Sequence, residues 1–202
     1  MPAWEALFPN LGSWTKSSDE TRTYNCVAFA AGEQHQRWDP FPPGLDYWPD
    51  GVRRSYELSA FVDAYRTIKY EVCADGSLEP SIEKIVIYTN QYGGVEHVAR
   101  QLPDGKWTSK IGDHEDIVHN TPASLGGSTD YGEPRCFMSR PHGKSPVIRP
   151  KENKKEKEED SSSTSSSASA AVAHPPSASN PRHREDFNSL LNAAARKREP
   201  KD

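Results

Sequence analysis

Cys26 and His97 are the residues whose types and settings could do chemistry together. Cys26 lies in Tyr24-Asn25-Cys26-Val27-Ala28-Phe29-Ala30-Ala31-Gly32, which reads as an Asn cap, a short helix of small residues and a terminating glycine. A thiol at a helix start faces unpaired N–H groups and the positive end of the dipole, which favour the thiolate, its nucleophilic form. About seventy residues later, Val95-Glu96-His97-Val98-Ala99-Arg100-Gln101-Leu102 reads as a strand that presents an imidazole. His97 would take the thiol proton, Cys26 would attack an amide or ester carbonyl, and the imidazolium would protonate the leaving group. The Cys26 N–H is one candidate oxyanion donor, and Tyr24 and Asn25 are neighbours that could assist. Gln101 shares the face of His97 on the strand, and Trp48 sits in an aromatic loop, so both are candidate substrate contacts.

A third group would hold the tautomer of His97. Asp116 is the first candidate because a carboxylate also stabilises the imidazolium, with Ser109 and His119 as alternatives. His114 and His119 lie near Asp113, Glu115 and Asp116, but no CxxC or HExxH spacing accompanies them, so neither a metal nor a cofactor is expected. Cys73 and Cys136 neighbour Val72 and Phe137 in strand-like runs and read as core. A cysteine in a small-residue helix is itself often a buried small hydrophobe, so Cys26 earns its role only through a partner.

The elements that must position these groups change type along the chain. Trp4, Phe8 and Trp14, spaced among Pro9 and Gly12, read as an arm that wraps the core. A proline-rich and aromatic loop runs from Trp38 to Pro49. Ser55 then reads as an N-cap for a helix with Leu58, Phe61, Val62 and Tyr65 on one face. From Tyr70 the pattern becomes strand-like: Tyr70-Glu71-Val72-Cys73, Lys84-Ile85-Val86-Ile87-Tyr88, the His97 strand, Lys106-Trp107-Thr108-Ser109, Asp116-Ile117-Val118-His119 and Arg135-Cys136-Phe137-Met138-Ser139-Arg140. Asp104-Gly105 marks a hairpin between two of them. Helices first and antiparallel strands after is an α+β arrangement.

Only part of the 202-residue chain can be one globule, because 34% hydrophobic and 27% charged residues are too polar for a core built from all of it. From residue 151 onward there are ten basic and nine acidic residues, which leaves 15 basic and 20 acidic before it. An acidic domain without a basic stripe is a poor nucleic-acid binder. The expected organisation is a domain over 1–145, a disordered charged and Ser/Ala/Pro-rich linker over 146–183, and a short amphipathic helix over 184–199 that would need a protein partner to hold it. Three cysteines without a CxxC suit a reducing compartment, and neither a signal peptide nor a membrane span is legible. The expected setting is therefore cytoplasmic, with no membrane partner and with specialised secretion left open.

An early-helix Cys followed by a strand His resembles the papain-like cysteine hydrolase superfamily, most closely its compact bacterial cell-wall and amidase-type members. More narrowly, Tyr24-Asn25-Cys26-Val27-Ala28-Phe29-Ala30, His97-Val98-Ala99-Arg100-Gln101 and Trp107-Thr108-Ser109-Lys110-Ile111-Gly112 resemble a bacterial domain family of unassigned function, over roughly residues 4 to 141. The resemblance implies a papain-like fold, N-terminal helices on a small antiparallel sheet, and a Cys26–His97 pair. Because compact members take the third group from the strand after the histidine, it also points to Ser109. The papain-type Gln has no counterpart in Ser18-Asp19-Glu20-Thr21, which leaves Tyr24 as a substitute donor. The expected function is a cysteine hydrolase or acyl transferase acting on a peptide or a small amide or ester. The rivals are an inactive binding or adaptor domain with a tethered docking helix, and a toxin or effector hydrolase.

Overall fold

In the computed structural model, which describes residues 2–143, hydrophobic residues on both faces of one strand decide the architecture. Within β3 (Ile82–Thr89), Ile85, Val86, Ile87 and Tyr88 are all fully buried, so the sheet must be covered on both sides. The remaining strands are β1 (Trp14–Lys16), β2 (Glu71–Cys73), β4 (Val95–Gln101), β5 (Trp107–Lys110), β6 (Asp116–His119) and β7 (Glu133–Pro141). They form one antiparallel sheet in the order β1-β6-β5-β4-β3-β7-β2. Two helices, α1 (Cys26–Ala31) and α2 (Leu58–Arg66), precede all strands but β1. The α+β expectation is met.

One face packs against α1, α2 and the Trp38–Trp48 region, with Phe29, Trp48, Phe61, Tyr65, Ile85, Ile87, Val98 and Met138 in a common core. The other face, carrying Val86, Tyr88, Ala99, Trp107 and Ile117, is covered by Trp4, Phe8 and Leu11 of the N-terminal arm together with Leu125 and Tyr131. The arm does wrap the core, but it also contributes β1, which pairs Trp14 with His119 at the sheet edge. Three residues are too few to show the alternation by which a strand is read.

Local chemistry starts and stops the helices. Asn25 is extended, its side chain accepts the Ala28 N–H, and Gly32 closes α1 in the left-handed region at φ 87. In α2 the capping position is Glu57 rather than Ser55, whose hydroxyl instead accepts the Glu57 N–H. The Tyr65 hydroxyl donates to Val27 O at 2.8 Å and ties α2 to α1. The Asp104-Gly105 turn joins β4 to β5 as expected, with Asp104 accepting the Lys106 N–H at 3.0 Å.

A bulge in β4 sets the orientation of the site. Thr89 is opposite Val95 and Tyr88 is opposite His97, so Glu96 is an extra residue. Val95 consequently belongs to the helix-side core while His97 lies beside Tyr88 on the arm side. β7 ends at Pro141. The expected linker (146–183) and terminal helix (184–199) lie outside the described residues. Among the described residues no helix is long and apolar enough to cross a membrane.

Candidate functional site

The residues singled out from the sequence divide into two clusters on opposite faces of the sheet. On the helix side, Asn25 holds Cys26 at the first position of α1. Its amide donates to Trp38 O at 2.8 Å and its oxygen accepts from Ala28 N and Trp38 N, both at 3.1 Å. Cys26 is 8% exposed. The preceding Tyr24 donates its hydroxyl to Asp116 Oδ2 at 2.6 Å, and burial, followed by that carboxylate, pushes the phenol up to about 12. Asp116 lies opposite Lys110 in the β5–β6 pair, so both point to this face.

Lys110 has no exposed surface. Its ammonium donates to His114 O and stands 5.6 Å from the Tyr24 ring centroid, over its face. Burial pulls its pKa below the usual lysine range, while Asp116, Asp113, Cys26 and Glu115 each act in the opposite sense. Cys26 is therefore close enough to interact electrostatically with Lys110. Because α1 has only six residues, its dipole is small.

Tyr24→Phe removes the one hydrogen bond made to the buried Asp116 carboxylate, whose Oδ1 has no partner among the described residues. A loss of about 2 kcal/mol is expected from the charged hydrogen bond, measurable as a lower urea midpoint. An unchanged midpoint would mean that the bond is replaced by solvent.

His97 belongs to the other cluster. It is fully buried on the arm side, its Nε2 is 3.0 Å from Ser109 Oγ, and Ser109 Oγ is 3.0 Å from His119 Nε2. His119 Nδ1 lies 2.9 Å from Thr121 O. A carbonyl only accepts, so Nδ1 of His119 carries the proton, its Nε2 accepts from Ser109, and Ser109 accepts from His97 Nε2. Burial lowers the His119 pKa to about 4, only partly offset by Thr121. The Tyr131 ring stacks on His97 at 4.1 Å with an interplanar angle of 7°. Ser109 and His119, two of the proposed third members, do attend His97. Asp116, the first choice, does not.

Cys26, at the start of α1, belongs to the helix-side core, and His97 lies on the arm side of the sheet against Ser109 and Tyr131. Gln101 shares the His97 face as expected, but its amide donates to Gly76 O at 2.7 Å and serves a turn. Trp48 is 1% exposed, donates to Arg53 O and packs edge-on against Phe61, so it is core rather than a substrate contact. Lys110 and Tyr131 received no role from the sequence. The signal for Lys110 was a lysine in the buried run Trp107-Thr108-Ser109-Lys110; Tyr131, in a turn between glycines, had none.

The family model described as Domain of unknown function (DUF7689) matches residues 15–139, well over half of the chain. No curated protein and no solved structure was found to match.

Proposed function

We propose, from the premise that the chain belongs to the family described as Domain of unknown function (DUF7689), that this protein carries out thiol-dependent acyl transfer or hydrolysis at Cys26. The reading is supported above all by one observation, the buried Lys110 ammonium on the same side of the sheet as Cys26 and within electrostatic reach of it. In a poorly solvated setting a neighbouring cation stabilises a thiolate far more than it would in water. The thiolate attacks an amide or ester carbonyl, a C–S bond forms, and the amine or alcohol leaves with the proton the thiol gave up. Water or an amine then cleaves the thioester. Lys110 takes the electrostatic part that the sequence suggested for His97, Tyr24 and Asp116 hold the wall of the site, and the His97–Ser109–His119 chain braces the opposite face. The papain-like resemblance survives in this reading only as a nucleophile at a helix start against a sheet.

A second reading, a non-catalytic binding domain, draws support from the 8% exposure of Cys26. A toxin or effector role would share the active-site chemistry and differ in setting.

The rate of iodoacetamide labelling at Cys26 separates these readings, with Cys73 and Cys136 as internal references. Labelling at neutral pH that is faster than at Cys73 and Cys136, slows in Lys110→Met and is unchanged in His97→Asn is expected. Slow labelling that ignores Lys110→Met would remove the thiolate and leave the binding domain.

A further inference from the structure

Beside the thiol stands a buried acceptor that no protein donor satisfies. Asp116 is 2% exposed. Its Oδ2 accepts the Tyr24 hydroxyl at 2.6 Å, while its Oδ1 is fully buried and has no hydrogen-bond partner among the described residues. A buried carboxylate oxygen without a donor is costly, so its persistence asks which donor it is kept for.

The backbone of Asp116 is held on both sides. Its N–H donates to Ser18 Oγ at 2.9 Å, its carbonyl accepts from Ser17 N at 2.8 Å, and β5 places Lys110 opposite it. The cations of this region are engaged elsewhere. Lys110 donates to His114 O, and Arg22 and Arg37 turn to Asp113 at 3.2 and 3.7 Å. Lys110 and Asp116 therefore face one another across the strand pair with no hydrogen bond between them. An ammonium has three donors, so one bond leaves it able to donate again, and Oδ1 still needs a donor.

An amide matches both groups, because its carbonyl accepts from an ammonium and its N–H donates to a carboxylate. An ester offers acceptors alone, and an N,N-disubstituted amide has lost the N–H. Cys26 is within electrostatic reach of Lys110 and follows Tyr24, whose hydroxyl holds Asp116, by two residues.

We propose that Asp116 is a specificity-determining residue of the thiol site: Oδ1 accepts the N–H of the scissile nitrogen, so the substrate is an amide that keeps this N–H. The inference rests on the thiol reading above and narrows its amide or ester to one class. A site built to bond an N–H rejects the analogue without it, since the buried acceptor is then left unpaired.

The test uses two alkylating probes that differ only by N–H against O, N-methyl iodoacetamide and methyl iodoacetate. In both, the attacked carbon is joined directly to the carbonyl. Rates at each cysteine of the full-length protein are read by mass spectrometry, and the rate ratio at Cys73 and Cys136 supplies the intrinsic reactivity. In the wild type the ratio at Cys26 is expected to exceed this reference ~10–100-fold in favour of the amide, the size of a hydrogen bond to a charged group. It should fall to the reference in Asp116→Asn, whose side chain keeps an oxygen for Tyr24 and turns an N–H toward the probe. The wild-type comparison needs no variant and stands whatever the stability of Asp116→Asn. Fast labelling of Cys26 that slows in Lys110→Met yet shows no preference for the N–H would overturn the assignment alone and give Oδ1 to a bound water. A preference that survives Asp116→Asn would do the same. Slow labelling by both probes that ignores Lys110→Met would remove the thiol reading and this inference with it.

Discussion

Gly132→Ala should unfold the arm-side half of the molecule at modest denaturant, with an expected loss of at least ~3 kcal/mol. A methyl group at this position would stand 2.0 Å from Thr89 O, 2.5 Å from Thr89 C and 2.9 Å from Asn90 N, all backbone atoms that cannot turn aside. Its φ of 69 adds the left-handed penalty. The residue sits where β7 begins to pair with β3, Glu133 lying opposite Thr89, so relief of the collision must part the two strands. It also follows Tyr131, which stacks on His97. Gly51→Ala is the matched comparison, since Gly51 has a φ of 77 and nothing within 4 Å; it should cost only ~1 kcal/mol. Equal urea midpoints for the two variants would show that close approach at Gly132 is not what holds the strand pair.

The second large effect is acid sensitivity through the buried histidine chain. His119 titrates near 6.5 when unfolded and near 4 when folded, because burial disfavours its cation. At low pH the unfolded chain therefore binds a proton that the folded chain refuses, and stability falls as pH falls. The contribution is fully present above about pH 6.5 and is lost progressively down to about pH 4, amounting to roughly 3 kcal/mol for this one imidazole. His97, Ser109 and Thr121 face it, the latter two through hydrogen bonds that specify the neutral tautomer described above. Urea unfolding at pH 7.5, 5.5 and 4.5 in the wild type and in His119→Asn checks this. The wild type should lose stability more steeply than the variant over that interval. Parallel curves would mean that His119 is protonated in the folded protein without penalty.

Several features were legible because they depend on residues near one another in the chain. Asn25 and Gly32 bound α1 by side-chain capping and a left-handed backbone, Asp104-Gly105 made its hairpin, and Phe61, Val62 and Tyr65 lined the inner face of α2. Orientation across the sheet was not legible. β4 is buried on both sides, so Val95-Glu96-His97-Val98-Ala99 has no alternation to say which way His97 points, and the bulge at Glu96 shifts the face again. Reading Cys26 and His97 as partners required them to share a face, a long-range property.

The sequence by itself determined an acidic α+β domain, a thiol at the head of a capped helix, and the presence of Ser109, Asp116 and His119 on strands that follow the histidine. Local propensity and capping act within a few residues and suffice for that. Only the tertiary structure decided which of these side chains meet. Strand register and the bulge sent His97 to Ser109 and His119 beneath the arm, and brought Tyr24, Lys110 and Asp116 to the Cys26 side. The physical reason is that a one-residue change of register moves a side chain through the sheet to its other face. Only pairing between distant strands fixes that register, and the period of a doubly buried strand carries no record of it.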